Sequence, residues 1–165
     1  MEKIERSIDV NVPLSTAYNQ WTQFEEFPQF MQAVKQVEQV TDTTLNWTAE
    51  IAGRERNWTA EIVEQEPDQV VAWRSTSGAP NTGRVTFEQI DPNSVRVMLV
   101  MEWEPDGAIE QTGATLGFDD RQVEGDLKRF KEFIESRGTE TGAWRGEVVD
   151  GVETAGATGT PQRNS

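Results

Sequence analysis

The feature that most constrains the fold is a hexapeptide, Asn-Trp-Thr-Ala-Glu-Ile, that occurs twice, at residues 46–51 and 57–62. In both copies apolar and polar residues alternate one by one, which is the period of a β-strand with one buried face. The two copies begin eleven residues apart, so they predict neighbouring strands of a hairpin and not the repeats of a solenoid. The middle of the chain is therefore expected to form an antiparallel sheet.

The pairing of these strands follows from the requirement that apolar residues share one face. A two-residue turn at Gly53-Arg54 satisfies this requirement. The opposed pairs are then Ile51 with Arg56, Ala49 with Trp58, and Trp47 with Ala60. A second two-residue turn at Pro67-Asp68 opposes Ile62 to Trp73, which places a third tryptophan on the same face.

Strand patterns extend to both sides of this hairpin. An alternating segment, residues 3–12, precedes a short helical pattern that begins near Pro13, and an aromatic elbow around Pro28 indicates a second short helix. Six strands are predicted between Val34 and Trp103. An odd number of loop residues around Asp91-Pro92-Asn93 would bring Val85 and Phe87 onto the face of the long apolar stripe at 95–103.

The pattern changes period after Pro105. Apolar residues then recur at helical spacing, at Val123, Leu127, Phe130 and Ile134. This predicts an amphipathic helix whose start is ambiguous, with a kink or restart near 117–119, and whose end is Gly138. Residues 138–165 are rich in Gly and Thr and read as a flexible acidic tail, with docking of Trp144-Arg145-Gly146 as the alternative.

The predicted order of helices and strands resembles that of the START-like, or SRPBCC, superfamily: a strand, two short helices, six antiparallel strands and a long closing helix. Four segments make the chain similar to its polyketide cyclase/dehydrase and coenzyme-Q-binding-protein-like branch: 21–31, 71–75, 83–87 and 126–134. The resemblance covers residues 1 to about 146. It implies an α+β helix-grip fold in which a curved seven-stranded antiparallel sheet surrounds the C-terminal helix, with a domain at 1–137 and the tail at 138–165.

The resemblance also implies a cavity between the concave face of the sheet and the helix, used for lipids, quinones or polyketides. The candidate lining residues are Phe24, Phe27, Phe30, Trp47, Arg56, Trp58, Trp73, Phe87, Met101, Trp103 and Phe130. The alternative is that these rings fill a core. Arg6 and Arg56 lie near strand ends at positions predicted to face inward. One expectation is that they contact the polar head of a ligand. The alternative is that they reach solvent or pair with a Glu. Glu64 is the last of the residues that are predicted to face inward on its strand.

Composition limits the chemistry. The chain has no Cys and no His, so thiolate nucleophiles and His/Cys metal sites are excluded, and Asp, Glu, Tyr18 and Lys remain as acids or bases. No phosphate-binding or metal-loop motif occurs, so we expect no cofactor and no metal site, and no catalytic residue is assigned.

The charge and hydropathy limit the partners. The net charge of −14 repels nucleic acid and anionic membranes. The longest clean apolar run, 97–101, is too short for stable membrane insertion, and no secretory signal is seen, so we expect a cytoplasmic protein. The scarcity of Lys beside 29 acidic residues is also compatible with a high-salt host.

Three functional hypotheses remain, and the oligomeric state is open. The first is binding of a small hydrophobic ligand as a carrier or sensor, because a cavity fold without catalytic residues needs nothing more. The second is a polyketide cyclase or dehydratase that acts by folding its substrate. The third is an interaction module with a filled core.

Overall fold

The computed structural model describes residues 2–51, 54–78, 80–103 and 120–153, with the backbone alone at 2, 51, 54, 103, 120 and 153. Helices and strands follow the predicted order. They are β1 (Glu2–Val10), α1 (Leu14–Trp21), a 3-10 helix (Phe24–Gln29), β2 (Val34–Gln39), β3 (Thr44–Ile51), β4 (Arg54–Glu66), β5 (Val70–Ser77), β6 (Asn81–Asp91), β7 (Ser94–Trp103), α2 (Asp120–Arg137), β8 (Val148–Val149) and β9 (Val152–Glu153).

The seven long strands form one antiparallel sheet in the order β1-β7-β6-β5-β4-β3-β2. Each pair of neighbours is consecutive in sequence except β1 and β7, which brings the first strand beside the last. The sheet curls around α2, which packs against β1. The predicted helix-grip architecture is therefore confirmed.

The hairpin of β3 and β4 has a different register from the predicted one. Ile51 pairs with Arg54 and Trp47 pairs with Trp58, where Ala60 had been expected opposite Trp47. The connection is residues 52–53, one position earlier than predicted, and moving a turn by one residue changes every pair by two. A shift of two preserves the face of each side chain, so the predicted apolar face is unchanged.

A bulge in β4 changes which of the following side chains face inward. Ile62 pairs with Trp73 as predicted, but the register shifts between Ile62 and Glu64. Glu64 therefore faces outward, contrary to the prediction, and its Oε1 accepts a hydrogen bond from Arg84 Nη1 at 2.7 Å. Gln65 takes the inward position, where it is buried and donates to the hydroxyl of Tyr18 at 3.1 Å.

A second bulge joins the apolar faces of β6 and β7. Asp91 pairs with Ser94, so the connection has two residues, but the register shifts between Gln89 and Asp91. This bulge adds one unpaired residue to the two-residue connection, which gives the odd number of residues that the sequence pattern requires. Val85 consequently pairs with Leu99 and Phe87 with Val97, and the two predicted apolar sets meet.

The long helix buries the predicted stripe. Val123, Leu127, Phe130 and Ile134 are all almost fully buried. The helix ends as predicted, because Gly138 adopts a φ of +77° and its N–H donates to the carbonyl of Ile134 at 2.9 Å.

The chain stays packed on the domain beyond the boundary predicted after residue 137, through Trp144 and β8. The Trp144 side chain is 3% exposed, and its backbone N–H donates to Oγ1 of Thr22 at 3.1 Å. The short strand β8 pairs with β4 at Glu64 and Gln65. We name residues 139–149 the strap. The rest of the predicted tail, 154–165, lies outside the described residues.

Candidate functional site

Three tryptophans form a row on the concave face of the sheet. Trp47, Trp58 and Trp73 come from the adjacent strands β3, β4 and β5. The ring of Trp47 stacks on that of Trp58 with centroids 5.6 Å apart and on that of Trp73 with centroids 5.9 Å apart. Parity places all three rings on the same face of the sheet, and the register that pairs Trp47 with Trp58 brings those two rings into contact.

A cavity of about 20 Å³ lies between this tryptophan row and α2. Its walls are mainly apolar and come from Met31, Ala33, Val34, Trp47, Trp58, Trp73, Asn81, Leu99, Met101, Val123 and Asp126. A space of this size has room for about one water molecule. The side chains around it are therefore closely packed in this structure.

Four of the predicted lining residues meet at the cavity wall, namely Trp47, Trp58, Trp73 and Met101. Four others are buried in a layer of rings: Phe24, Phe27, Phe30 and Phe130. Trp21 joins that layer, and its ring centroid lies 5.1 Å from those of both Phe27 and Phe130. These rings fix the 3-10 helix against α2 and back the tryptophan row, since Phe27 lies 5.7 Å from Trp47.

The remaining candidates lie elsewhere. Phe87 is half-buried and packs edge-on against Tyr18 of α1, with centroids 5.5 Å apart, so it is not part of the cavity wall. Arg56 pairs with Ala49 on the inward face near the start of β4. It also lies outside the cavity wall. The side chain of Trp103 lies outside the described residues.

Sequence reasoning missed a partly buried carboxyl group in the wall, that of Asp126. Asp126 Oδ1 accepts hydrogen bonds from the Gln32 backbone N–H at 3.1 Å and from Arg129 Nη2. Burial raises the pKa of Asp126, although both hydrogen bonds act in the opposite direction. Asp126 follows Val123 by three residues, which places it beside the apolar stripe, but this spacing alone does not distinguish it from an exposed helical residue.

Two further polar groups lie in the wall. Asn81, the first residue of β6, is almost fully buried, and its backbone N–H donates to Oγ of Ser75 at 2.9 Å. Within the described part of the chain, the buried Nε1–H of Trp47 has no hydrogen-bond acceptor. Trp47 therefore brings to the cavity wall a side chain whose hydrogen-bond donor is unused.

Among residues 2–51, 54–78, 80–103 and 120–153, no three acidic side chains come close enough to share a metal ion. No helix in those ranges has the length and apolar character to cross a bilayer.

Comparison with known families gives one match that covers most of the chain. The sequence model of a family described as polyketide cyclase / dehydrase and lipid transport matches residues 10–132. An uncharacterized 17.2 kDa protein of Streptomyces lincolnensis is 53% identical over 150 residues, which are 90% of this chain and 100% of the relative.

Solved structures share the fold at low sequence identity. A START superfamily protein from Mycobacterium smegmatis aligns with a TM-score of 0.67 at 13% identity, covering 82% of this chain and 98% of the other. The Zhui aromatase/cyclase of a Streptomyces species gives 0.66 at 16% identity, covering 82% and 94%. A Deinococcus radiodurans protein gives 0.68 at 23% identity, covering 83% and 99%.

Proposed function

Because this chain belongs to the polyketide cyclase / dehydrase and lipid transport family, we propose that it binds a small, largely apolar molecule between the tryptophan row and α2. The observation that carries this proposal is the composition of the cavity wall. Three indoles on the sheet face Val123 of the helix across the cavity, and polar groups are few. Ligand sites for apolar molecules have this mixture of aromatic surface and isolated polar atoms.

Binding of anything larger than a water molecule requires the wall to move. Met31 and Met101 both line the cavity, and both are slightly less buried than the tryptophans. Methionine is unbranched and changes rotamer easily, so it adapts to guests of different shape. We propose that these two side chains swing aside when the ligand enters and that the tryptophan row stays in place.

The proposed ligand carries an oxygen atom as well as an apolar body. The Nε1–H of Trp47 offers a buried donor, and Asp126 places a carboxyl group on the opposite, helical side of the cavity. A carbonyl or hydroxyl group would satisfy the indole donor, whereas a pure hydrocarbon would leave it unsatisfied.

Native mass spectrometry of freshly purified protein and tryptophan fluorescence titration with quinones, fatty acids and aromatic polyketides test this function. We expect a bound small molecule or saturable quenching. Trp58→Phe should weaken binding, whereas Trp144→Phe, which changes a buried indole in the strap, should not. If nothing co-purifies and no probe quenches, binding is refuted and an interaction module with a filled core is the better account.

A polyketide cyclase or dehydratase is the second candidate, and the partly buried carboxyl group of Asp126 in the cavity wall favours it. A carboxyl group in a mainly apolar wall, with its pKa raised by burial, is the kind of group that can transfer a proton to or from a bound substrate. With a linear poly-β-ketone thioester as the probe, Asp126→Asn should abolish cyclisation and leave the Kd of the probe unchanged. Asp9→Asn is the control, since Asp9 is exposed and pairs with Arg96. Unchanged turnover in Asp126→Asn would refute this candidate.

A further inference from the structure

A second space lies between β1 and the first half of α2. This cleft has a volume of about 320 Å³, much more than the cavity beside the tryptophans. Ile8 and Leu127 contribute its apolar surface, and Arg6 and Lys128 contribute its positive charge. Glu5 and Glu124, both exposed, also line the cleft.

The cleft and the cavity lie side by side beneath α2. Arg6 of the cleft pairs directly with Leu99 of the cavity wall, and directly opposed residues of antiparallel strands share a face. On the helix, Val123 lines the cavity and the next residue, Glu124, lines the cleft. The two spaces therefore have neighbouring wall residues on β1, β7 and the first turns of α2.

The cleft differs from the cavity in its chemistry. Arg6 is only partly exposed and projects from the inward face of β1, where an apolar residue would ordinarily lie. A guanidinium matches a carboxylate with two parallel hydrogen bonds, and this match is stronger where water is partly excluded. Lys128 adds a second cation in a chain whose acidic residues outnumber its basic ones by 29 to 15.

We propose that this cleft binds the carboxylate end of an apolar acid whose hydrocarbon body extends past Leu99 into the tryptophan-lined cavity. The inference depends on the proposed function, because it needs the cavity to open for the apolar part. It adds that Arg6 selects ligands by their head group.

A matched pair of ligands tests the selection. We would titrate dodecanoic acid and 1-dodecanol into the full chain and follow tryptophan fluorescence, in the wild type, Arg6→Met and Arg74→Met. The methionine keeps the apolar stem of Arg6. Arg74 is the control because it lies on the outward face and pairs with Glu61.

The wild type and Arg74→Met should bind the acid at least about tenfold more tightly than the alcohol, and Arg6→Met should bind the two alike. Equal binding of acid and alcohol by the wild type would overturn the role of Arg6 and leave the apolar site intact. Binding of neither probe by the wild type would overturn both the proposed function and this inference.

A single-cysteine experiment tests the route independently of Arg6. The chain has no cysteine, so Lys128→Cys introduces one thiol at the cleft and Glu88→Cys introduces one on an exposed position of β6. A bulky maleimide on residue 128 should abolish dodecanoic acid binding, whereas the same label on residue 88 should leave it unchanged. Equal binding by both labelled proteins would show that the acid does not enter through the cleft.

Discussion

Gly83 of β6 lies directly opposite Trp73 of β5, and a Cβ atom built on Gly83 would be 2.3 Å from Cζ2 of the Trp73 indole. The indole therefore lies flat against the backbone of its neighbour, where no side chain fits. This contact sets the position of one end of the tryptophan row, since Trp73 in turn stacks on Trp47. The row depends on a missing side chain as much as on the rings themselves.

Gly83→Ala should disturb the row and destabilise the fold. The methyl group has to displace the Trp73 ring, and overpacking of this kind costs about 1–3 kcal/mol in the free energy of unfolding. Chemical denaturation would measure that loss. Gly125→Ala in α2 is the control, because its new methyl group meets only the end of the Arg129 side chain, and we expect no loss there. An unaltered midpoint in Gly83→Ala would contradict this account of the contact.

The strap should be part of the folding unit. A chain ending at Gly138 should be several kcal/mol less stable than one ending at Glu153, since Trp→Ala alone at a buried site costs about 3–5 kcal/mol. The shorter chain exposes the polar side chains Asn19, Gln20 and Thr22 that now bond to the strap. Equal stability of the two truncated chains would show that the strap is dispensable.

Arg145 should fasten the strap to α1 and the β4–β5 turn. Its Nη2 lies 2.9 Å from Oδ2 of Asp68, its Nη1 donates to Oδ1 of Asn19 at 2.6 Å, and its guanidinium lies over the Tyr18 ring. Arg145→Met should therefore destabilise the chain by about 1 kcal/mol, and molar salt should reduce that difference. Arg137→Met, which removes another cation over a ring, should cost less, because Arg137 is held by the Phe133 ring and by one hydrogen bond from its Nε to the Thr139 carbonyl oxygen. A salt-independent loss would refute the ionic contribution.

Asp126 should make stability fall as pH rises. Burial raises its pKa above the ordinary 3.8, so the folded state holds this proton more tightly than the unfolded state. The resulting stability is complete below pH 3.8 and is lost as the pH rises through the folded pKa. Urea unfolding of the wild type and Asp126→Asn across pH 3 to 8 should show a difference that declines with pH.

Glu135 should show the opposite dependence of stability on pH and serves as the control. Burial alone would raise its pKa, but hydrogen bonds from Lys131 and the Asn11 backbone N–H hold the pKa below 4.5. Its stabilising effect should be present above pH 4.5 and disappear as the pH falls. The difference in the free energy of unfolding between the wild type and Glu135→Gln should therefore decline as the pH falls. Parallel slopes for the two variants would contradict the assignment of the Asp126 shift to burial.

The sheet was predictable from sequence because side-chain parity survives errors of register. The turn before β4 was placed one residue too late, yet Trp47 and Trp58 remained on the predicted face. Glu64 was misplaced because a bulge moves all later residues of β4 to the other face, and no residue in the sequence marks it. The α2 stripe was predicted because four apolar residues at helical spacing are a stronger signal than any single position.

The strap and the polar side of the cavity were not predictable in the same way. Trp144 lies in a polar, Gly-rich segment, and its binding surface includes the polar side chains of α1 that a sequence pattern assigns to solvent. Asp126 reads as an exposed helical residue until its position against Gln32 and the cavity is known. The cavity's volume depends on how side chains from five or more segments interlock, which periodicity does not encode.

The most direct test of the ligand site is a two-dimensional ¹H–¹⁵N spectrum recorded during titration with dodecanoic acid. The chain has six tryptophans, each with one indole N–H signal, which single Trp→Phe variants would assign. We predict saturable shifts of the Trp47, Trp58 and Trp73 signals and a stationary Trp144 signal. Indole signals of the row that stay fixed up to the solubility limit of the acid, or that move no more than that of Trp144, would contradict a ligand site between the tryptophan row and α2.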